Sequence, residues 1–311
     1  MRTILSTALT DLCARPDFVF LTGDLGFMAL EPVREAAGAR FINAGVAEQN
    51  MVMVAAGLAR GGLRPWVYSI APFLYARPFE QIRNDVCLHG LPVALVGNGG
   101  GYAYGVMGAT HHALEDYGAL TALAHLTAYV PAFAEDVGAA VARISAGSGP
   151  AYLRLGRDEK PKTLALPPYA PWRRVLAGGG PTMVIVGPLA GGIIDALMTR
   201  PEATRPAVWV VTELPIVETA PPEAFLADLR RSAHLYVIEE HVAQGGAGQM
   251  LAYALAKRGL APPRFTHRCA QGYPSARYGS QKFHRKESGL DPESIVASLA
   301  GMAADPRGSA A

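Results

Sequence analysis

The chain has 311 residues, about twice the usual span of one domain, so two domains with a large buried core are expected. Its 28 Lys+Arg against 26 Asp+Glu leave a formal charge of +2, and with 17% charged residues and no basic run there is no handle for nucleic acid or an acidic membrane. Hydrophobic residues make up 50%, yet no stretch approaches the ~18 uninterrupted apolar positions of a spanning helix, and no signal-peptide core follows Arg2, so the chain reads as soluble and cytoplasmic.

Segments rich in Val, Ile, Phe and Tyr alternate with Ala-rich helical stretches, a pattern that predicts an α/β fold with parallel sheets covered by helices. In the first half, strands are predicted at Phe18–Thr22, Trp66–Ile70, Pro92–Gly97, Thr127–Val130 and Ala151–Leu155. After Arg157 the composition turns to Asp, Lys and Pro, through Lys160-Pro161 and Pro167-Pro168 to Gly178-Gly179-Gly180-Pro181, which reads as a linker. Strands resume at Met183–Gly187, Ala207–Thr212 and Leu235–Glu239, with helices near Gly192–Met198, Pro222–Arg231 and Gly248–Lys257. The predicted division is a first domain over 1–160, a linker over 161–181, a second domain over 182–303 and a flexible tail over 304–311. Cys13, Cys87 and Cys269 are an odd number without CxxC spacing or a nearby His pair, so neither a disulfide framework nor a zinc site is expected.

Phe41 to Met51 reads as a short strand-like piece running into a helix. Ala47, Met51, Val54, Ala55 and Leu58 recur at helical spacing and predict one inward face, stopped by Gly61-Gly62. Glu48 then sits in the first turn, one position off the apolar stripe. On spacing alone a carboxylate there complements the helix dipole, worth ~0.3–1 kcal/mol. Asp24 follows a strand at the end where open α/β sheets place ligands, although Thr-Gly-Asp-Leu-Gly is also ordinary turn chemistry. The run Gly97-Asn98-Gly99-Gly100-Gly101 lacks a full GxGxxG, because Tyr102 and Tyr104 stand where a third glycine is needed, so no nicotinamide site is expected. Its glycines are expected to let a loop approach a substrate channel. Gly245 to Gly248 are expected to serve tight packing at a helix start, and His89, His125 and His234 to be structural.

Gly45-Val46-Ala47-Glu48-Gln49-Asn50-Met51 resembles the motif of transketolases and 1-deoxyxylulose-phosphate synthases around their cofactor-activating glutamate. In the same order, Ser69 to Arg83 is similar to the aromatic segment that receives the aminopyrimidine of thiamine diphosphate. Gly108-Ala109-Thr110-His111-His112 is similar to the Gly-x-Thr-His active-site turn, and Tyr152 to Arg157 to the strand ending in a substrate-phosphate arginine. Val237-Ile238-Glu239-Glu240-His241 with Gly245-Gly246-Ala247-Gly248 resembles the family's C-terminal domain, so the resemblance covers nearly the whole chain. It implies a thiamine-diphosphate pyrimidine-binding domain followed by a transketolase C-terminal domain, each a mainly parallel sheet flanked by helices.

For the site, the resemblance implies that Glu48 shares its proton with ring nitrogen N1′ of the cofactor and so promotes loss of the proton at thiazolium C2. Losing that carboxyl should cost at least the ~10²–10⁴ typical of general acid–base groups. Phe73 is expected to stack on the aminopyrimidine, Asp24 and Arg77 to bind cofactor, and His111 to hydrogen-bond a substrate oxygen. His112 stands where Gln is common; with Arg157, Arg2, Gly99 and Met107 it completes the expected substrate site. Arg154 reads either as a further anion ligand or as a strand residue facing solvent. Met107 replaces an acidic residue, Gly99 a histidine and Met28 a serine, so an ordinary pentose-phosphate pair is in doubt. The remaining arginines could still hold a phosphate, carboxylate or sulfonate at ~1.5–3 kcal/mol per charge-assisted bond.

The Gly-Asp-Gly motif that holds the diphosphate through a divalent metal is missing from the sequence. The resemblance therefore implies a partner, an N-terminal-half subunit carrying the diphosphate and Mg2+ or Ca2+, in a heterotetramer of two small and two large subunits, with this chain inactive alone. The leading expectation is the small subunit of a two-component thiamine-diphosphate-dependent transketolase of carbohydrate metabolism, moving a two-carbon ketol unit from a ketose to an aldose or related aldehyde. The alternatives are the β subunit of a 2-oxoacid dehydrogenase E1 component, a deoxyxylulose-phosphate-synthase-like enzyme, and a non-catalytic partner-binding module. Thr110-His111 and the Tyr152 to Arg157 strand end favour the transketolase branch, and intact Glu48, Phe73 and His111 argue against the module.

Overall fold

A computed structural model describes residues 1–304, with side chains to Gly301; the tail predicted over 304–311 lies, from 305 on, outside the described residues. The strands are β1 (Phe18–Thr22), β2 (Phe41–Asn43), β3 (Arg64–Ile70), β4 (Ala94–Asn98), β5 (Thr127–Tyr129), β6 (Ala151–Leu155), β7 (Trp172–Leu176), β8 (Thr182–Val186), β9 (Ala207–Val211), β10 (Glu213–Leu214), β11 (His234–Glu239) and β12 (Arg264–Arg268). They form a seven-stranded sheet in the order β10-β5-β6-β4-β3-β1-β2 and a five-stranded sheet in the order β12-β11-β8-β9-β7. All pairings are parallel except β10 with β5 and β7 with β9. Strands such as Phe18-Val-Phe-Leu-Thr and Thr182-Met-Val-Ile-Val are buried at every position, as expected where helices cover both faces of a parallel sheet.

Three strands depart from the sequence reading, Arg264–Arg268 at the edge of the second sheet and two that bear on how the halves of the chain meet. Trp172–Leu176, inside the predicted linker, is the edge strand of the second sheet and runs antiparallel to β9. Its Arg173 is buried because the guanidinium donates to the equally buried Asp136 at 2.7 Å. Two consecutive arginines, Arg173 and Arg174, in a short strand that follows a Pro-rich stretch hid the element from composition. The third is β10, which comes from the second half of the chain and extends the first sheet by pairing Glu213 with Tyr129 and Leu214 with Ala128.

The two sheets share a core. One apolar cluster runs from Leu21, Met51 and Val67 at the first sheet to Val184, Trp209 and Leu251 at the second. Polar contacts cross the same boundary. The Tyr117 hydroxyl donates to Glu239, and Tyr102 N donates to Glu240 Oε1 at 3.0 Å. Arg154 does not face solvent: it is 3% exposed, donates to Asp116 at 2.8 Å and also to the carbonyls of Ala113 (2.8 Å) and Glu240 (3.0 Å). Its charge is used to join the two halves, which also removes it from the set of anion ligands.

Cys13, Cys87 and Cys269 are free and buried, and burial pushes the Cys87 thiol up to about 12. Among the described residues no helix is long and apolar enough to cross a membrane, and no three His, Cys, Asp or Glu side chains converge as metal ligands.

Candidate functional site

Strands β1, β2, β3, β4 and β6 all end on one edge of the first sheet, and the segments that leave them carry Asp24, Glu48 at the start of a helix, Phe73 inside the helix Ala71–Ala76 with Arg77 just after it, the Gly99 to His112 turn, and Arg157. That is the end of a parallel sheet where backbone geometry opens a crevice for ligands.

The helix Glu48–Arg60 begins at Glu48, and its buried residues are Glu48, Met51, Val52, Ala55, Ala56 and Ala59. Glu48 therefore lies on the inward stripe rather than beside it, and Val54 is exposed. Small residues on every face of this helix left its phase open to misreading. The Glu48 side chain is 4% exposed, and its partner is Arg77, whose Nη1 donates to both carboxylate oxygens at 2.9 and 3.0 Å. The same guanidinium lies 3.9 Å from the centroid of the Phe73 ring, a cation–π contact, and Gln49 Nε2 holds the Arg77 carbonyl at 3.2 Å. The Phe73 ring meets His111 edge-on at 5.1 Å, and Tyr104 closes on His111 from another side at 5.9 Å. Thr110 Oγ1 stands 2.9 Å from His111 Nδ1, so Nε2 is the ring nitrogen directed away from this contact.

Glu48, Arg77, Phe73 and His111 are thus brought into one chain of contacts. The structure joins Asp24 to Asn43 instead: Asn43 Nδ2 donates to Asp24 Oδ1 at 2.9 Å, and Asn43 Oδ1 accepts from Asp24 N (3.1 Å) and Gly45 N (3.0 Å). This bracket fixes the chain leading into Glu48 and holds Asp24 at φ +58°. Asn43 was missed in the sequence; its signal is a polar residue ending a short strand just before the Glu48 motif. Arg2 is exposed beside Tyr68, whose hydroxyl burial pushes up to about 12 while Arg2 opposes the shift. Arg157 lines a separate cleft of about 640 Å³ with Lys282 and Lys286.

Three expectations are corrected. His112 does not offer a ring nitrogen to a substrate: it is 3% exposed, with Nδ1 2.9 Å from the Tyr273 hydroxyl and Nε2 2.9 Å from the Gly105 carbonyl. Gly99 has φ +78°, and a Cβ on it would come within 2.2 Å of the Tyr104 ring, so the glycine makes room for Tyr104, and its N–H donates to the Leu155 carbonyl at 3.0 Å. The neighbouring glycines likewise accommodate side chains of the interior rather than a channel: a Cβ at Gly97 would strike Tyr152, at Gly100 Arg154 and at Gly101 Glu240. Met107 and Val106 are exposed beside the His111 turn. At Gly245 to Gly248, the start of the Ala247–Lys257 helix is filled by the protein's own carboxylate, Glu239, which accepts from Ala247 N at 2.7 Å, Gly248 N at 2.8 Å and His267 Nε2 at 2.6 Å.

Residues 1–162, which include the buried Glu48 at its helix start, the Phe73 face and the Thr110-His111 turn, match the family model of the transketolase pyrimidine binding domain. The chain belongs to the transketolase family. An apulose-4-phosphate transketolase subunit of Actinobacillus succinogenes is 31% identical over 260 residues, covering 83% of each chain. 1-Deoxy-D-xylulose-5-phosphate synthase 2 of Geobacter sulfurreducens is 32% identical over 274 residues, which span 85% of this chain and 42% of that one. A solved split gene transketolase, described as an inactive beta4 tetramer, superposes with a TM-score of 0.80 at 27% identity over 96% of both chains. In fold and extent the chain matches the solved split gene transketolase chain.

Proposed function

We propose that this chain is the pyrimidine-binding small subunit of a two-component thiamine-diphosphate-dependent transketolase, transferring a two-carbon ketol unit from a ketose donor to an aldose or related aldehyde. The observation that carries the reading is the seat formed by Glu48 and Phe73. A flat, hydrogen-bond-donating cation, the Arg77 guanidinium, rests on the Phe73 face at 3.9 Å while bonding both Glu48 oxygens. An aminopyrimidine is also flat and nitrogen-bearing, and it fits the same seat. When bound, the cofactor supplies a nucleophilic thiazolium carbon.

The protein's part is proton management and orientation. Glu48 would hold a proton at N1′ and Phe73 would fix the ring plane, once the aminopyrimidine takes the place of the half-exposed Arg77 guanidinium. His111, its Nδ1 engaged by Thr110, directs Nε2 at a substrate oxygen and stabilises the charge that develops there. The diphosphate and its Mg2+ or Ca2+ are assigned to the N-terminal-half partner subunit, in a heterotetramer of two small and two large chains. Exposed apolar side chains near the seat, Val46 at 74% and Met53 at 52%, fit a surface that such a partner covers. We take 1–160 as the pyrimidine-binding domain and 182–303 as the C-terminal domain, and place the protein in the cytoplasm, where three free thiols persist. Asp24 acts through the Asn43 bracket at the cofactor's edge. Arg157 and Arg2 remain the anion ligands, and the similarity to an apulose-4-phosphate transketolase chain supports a phosphorylated sugar as one substrate.

The test is reconstitution with the partner subunit. Glu48→Gln should leave the assembly intact and abolish hydrogen exchange at thiazolium C2, followed by NMR, together with ketol transfer. Unaltered exchange would refute the role of Glu48.

A further inference from the structure

The turn that carries His111 is gripped from the second half of the chain. It is hinged at Gly105 (φ +42°) and Gly108 (φ +75°), and closed by hydrogen bonds from Gly108 N to the Gly105 carbonyl (3.0 Å) and from His111 N to the Gly108 carbonyl (2.9 Å). Both hinges are pressed by one segment. A Cβ on Gly105 would lie 2.9 Å from Gln281 N and 3.2 Å from the Gly279 carbonyl oxygen; one on Gly108 would lie 2.1 Å from the Tyr278 ring. His112 ties the grip together, with Nε2 on the Gly105 carbonyl and Nδ1 on the Tyr273 hydroxyl, while the Tyr273 ring stacks on it at 5.7 Å and 17°.

Beneath lies a second aromatic layer. Tyr102 donates to the Gly272 carbonyl at 2.8 Å, which fixes the residue before Tyr273, and stacks on His284 at 5.1 Å and 16°. His284 meets His112 edge-on at 5.0 Å, is 1% exposed, and neither of its ring nitrogens has a partner among the described residues. A buried polar ring left unsatisfied costs stability, so it is not retained there for its hydrogen bonds; its use is the flat edge it presents to His112.

We propose that Tyr273 and His284 are positioning residues for His111, acting through His112 and the Gly105–Gly108 backbone, so that the second domain forms part of the catalytic machinery of the first. The proposal rests on the reading of His111 as the group that faces substrate. It makes the Tyr273 hydroxyl, 161 residues from His112 in the chain, a determinant of the His111 ring geometry without touching His111.

The test uses the complex reconstituted with the partner subunit, together with the isolated chain labelled with 15N-histidine. Tyr273→Phe, which removes one hydroxyl, should lower kcat about tenfold with cofactor affinity unchanged, as expected when a reacting group is misplaced by a fraction of an ångström. His112→Phe should do the same, and His112→Gln, which keeps both hydrogen bonds, should restore most of the rate. In the isolated chain, the His111 ring 15N shifts report the tautomer that Thr110 holds, and Tyr273→Phe should move them toward the averaged values of a free imidazole. Unchanged His111 shifts and unchanged kcat in Tyr273→Phe would overturn the proposal. Full activity in His111→Ala would instead refute the reading of His111, and the 15N shifts would still decide whether Tyr273 positions the ring.

Discussion

The Glu48–Arg77 contact makes a quantitative prediction that needs no partner and no cofactor. Arg77→Met keeps an apolar stem but removes the guanidinium, leaving the Glu48 carboxylate, 4% exposed, without a partner among the described residues. A charge-assisted hydrogen bond contributes roughly 1.5–3 kcal/mol, and because the Arg77 side chain is 44% exposed, water replaces part of it, so the expected loss is about 1–2 kcal/mol. Glu48→Leu leaves a guanidinium that water already reaches and should cost ~0–1 kcal/mol. Once Glu48 is Leu there is no charge to strand, so adding Arg77→Met should then cost close to nothing. The coupling energy of the cycle is therefore about 1–2 kcal/mol, or roughly 1.5–3 °C in Tm for a chain of 311 residues. Urea and thermal unfolding of the wild-type chain, both single variants and the double variant at pH 7 would measure it. Additive effects, with a coupling below about 0.3 kcal/mol, would refute Arg77 as the partner of Glu48, and with it the argument that a planar cation marks the aminopyrimidine seat.

Arg154→Met should be far more damaging, because Asp116 is fully buried and loses its 2.8 Å cation partner: about 3–5 kcal/mol in urea unfolding, against less than 1 kcal/mol if Arg154 faced water. Stability should also fall on acidification in two steps of the same sign. Burial lowers the pKa of His112, so its contribution is complete above the unfolded value of about 6.5 and declines as pH drops below it. Burial pushes the Glu239 carboxyl up, but the His267 hydrogen bond, the His241 and His267 charges and the Tyr117 hydroxyl outweigh that and hold it below the ordinary range, so its contribution is complete above about 4.3 and is lost as pH falls through the depressed value. Urea midpoints measured from pH 7 to 3 should show His112→Gln flattening the upper step and Glu239→Gln the lower; a profile unchanged by either substitution would contradict both assignments.

The fold was legible where burial is uniform. Phe18–Thr22 is found at its predicted bounds because it is an apolar run covered on both faces, a pattern that composition reads directly, and Ala151–Leu155 is found at its bounds because Ala, Tyr and two Leu outweigh its single Arg154. It failed at Trp172–Leu176, where two consecutive arginines interrupt a short strand, one of them carried inside by Asp136, 37 positions away and outside any local window. Arg264–Arg268 is a strand of half-exposed and exposed residues at the sheet edge, without the apolar signature of its neighbours. The two-residue strand Glu213–Leu214 is too short to have a period at all.

The site divides along the same line. Glu48, Phe73 and His111 were legible as motif residues, but spacing alone assigned Glu48 to a helix dipole, and its neighbours in space come from elsewhere in the chain. Arg77 reaches Glu48 across 29 residues, and Tyr273 reaches His112 across 161. The glycines show why such pairings escape a sequence reading: Gly100 and Gly101 resemble a ligand loop only until Arg154 and Glu240 are seen to fill the space their missing side chains leave. Arg154 and Glu240 in turn connect the two sheets, through the Arg154 bond to the Glu240 carbonyl and the Glu240 contacts with Tyr102, Gln281 and Arg285. The residue that follows Gly101 is Tyr102, the base of the aromatic layer under the His111 turn. A substitution that disturbs the domain junction at Glu240 must therefore reach the His111 turn through Tyr102 and Gln281, and then Phe73, which meets His111 edge-on, whereas Glu48, at the start of its helix and bonded to Arg77, makes no hydrogen bond to that junction among the described residues and should keep its geometry.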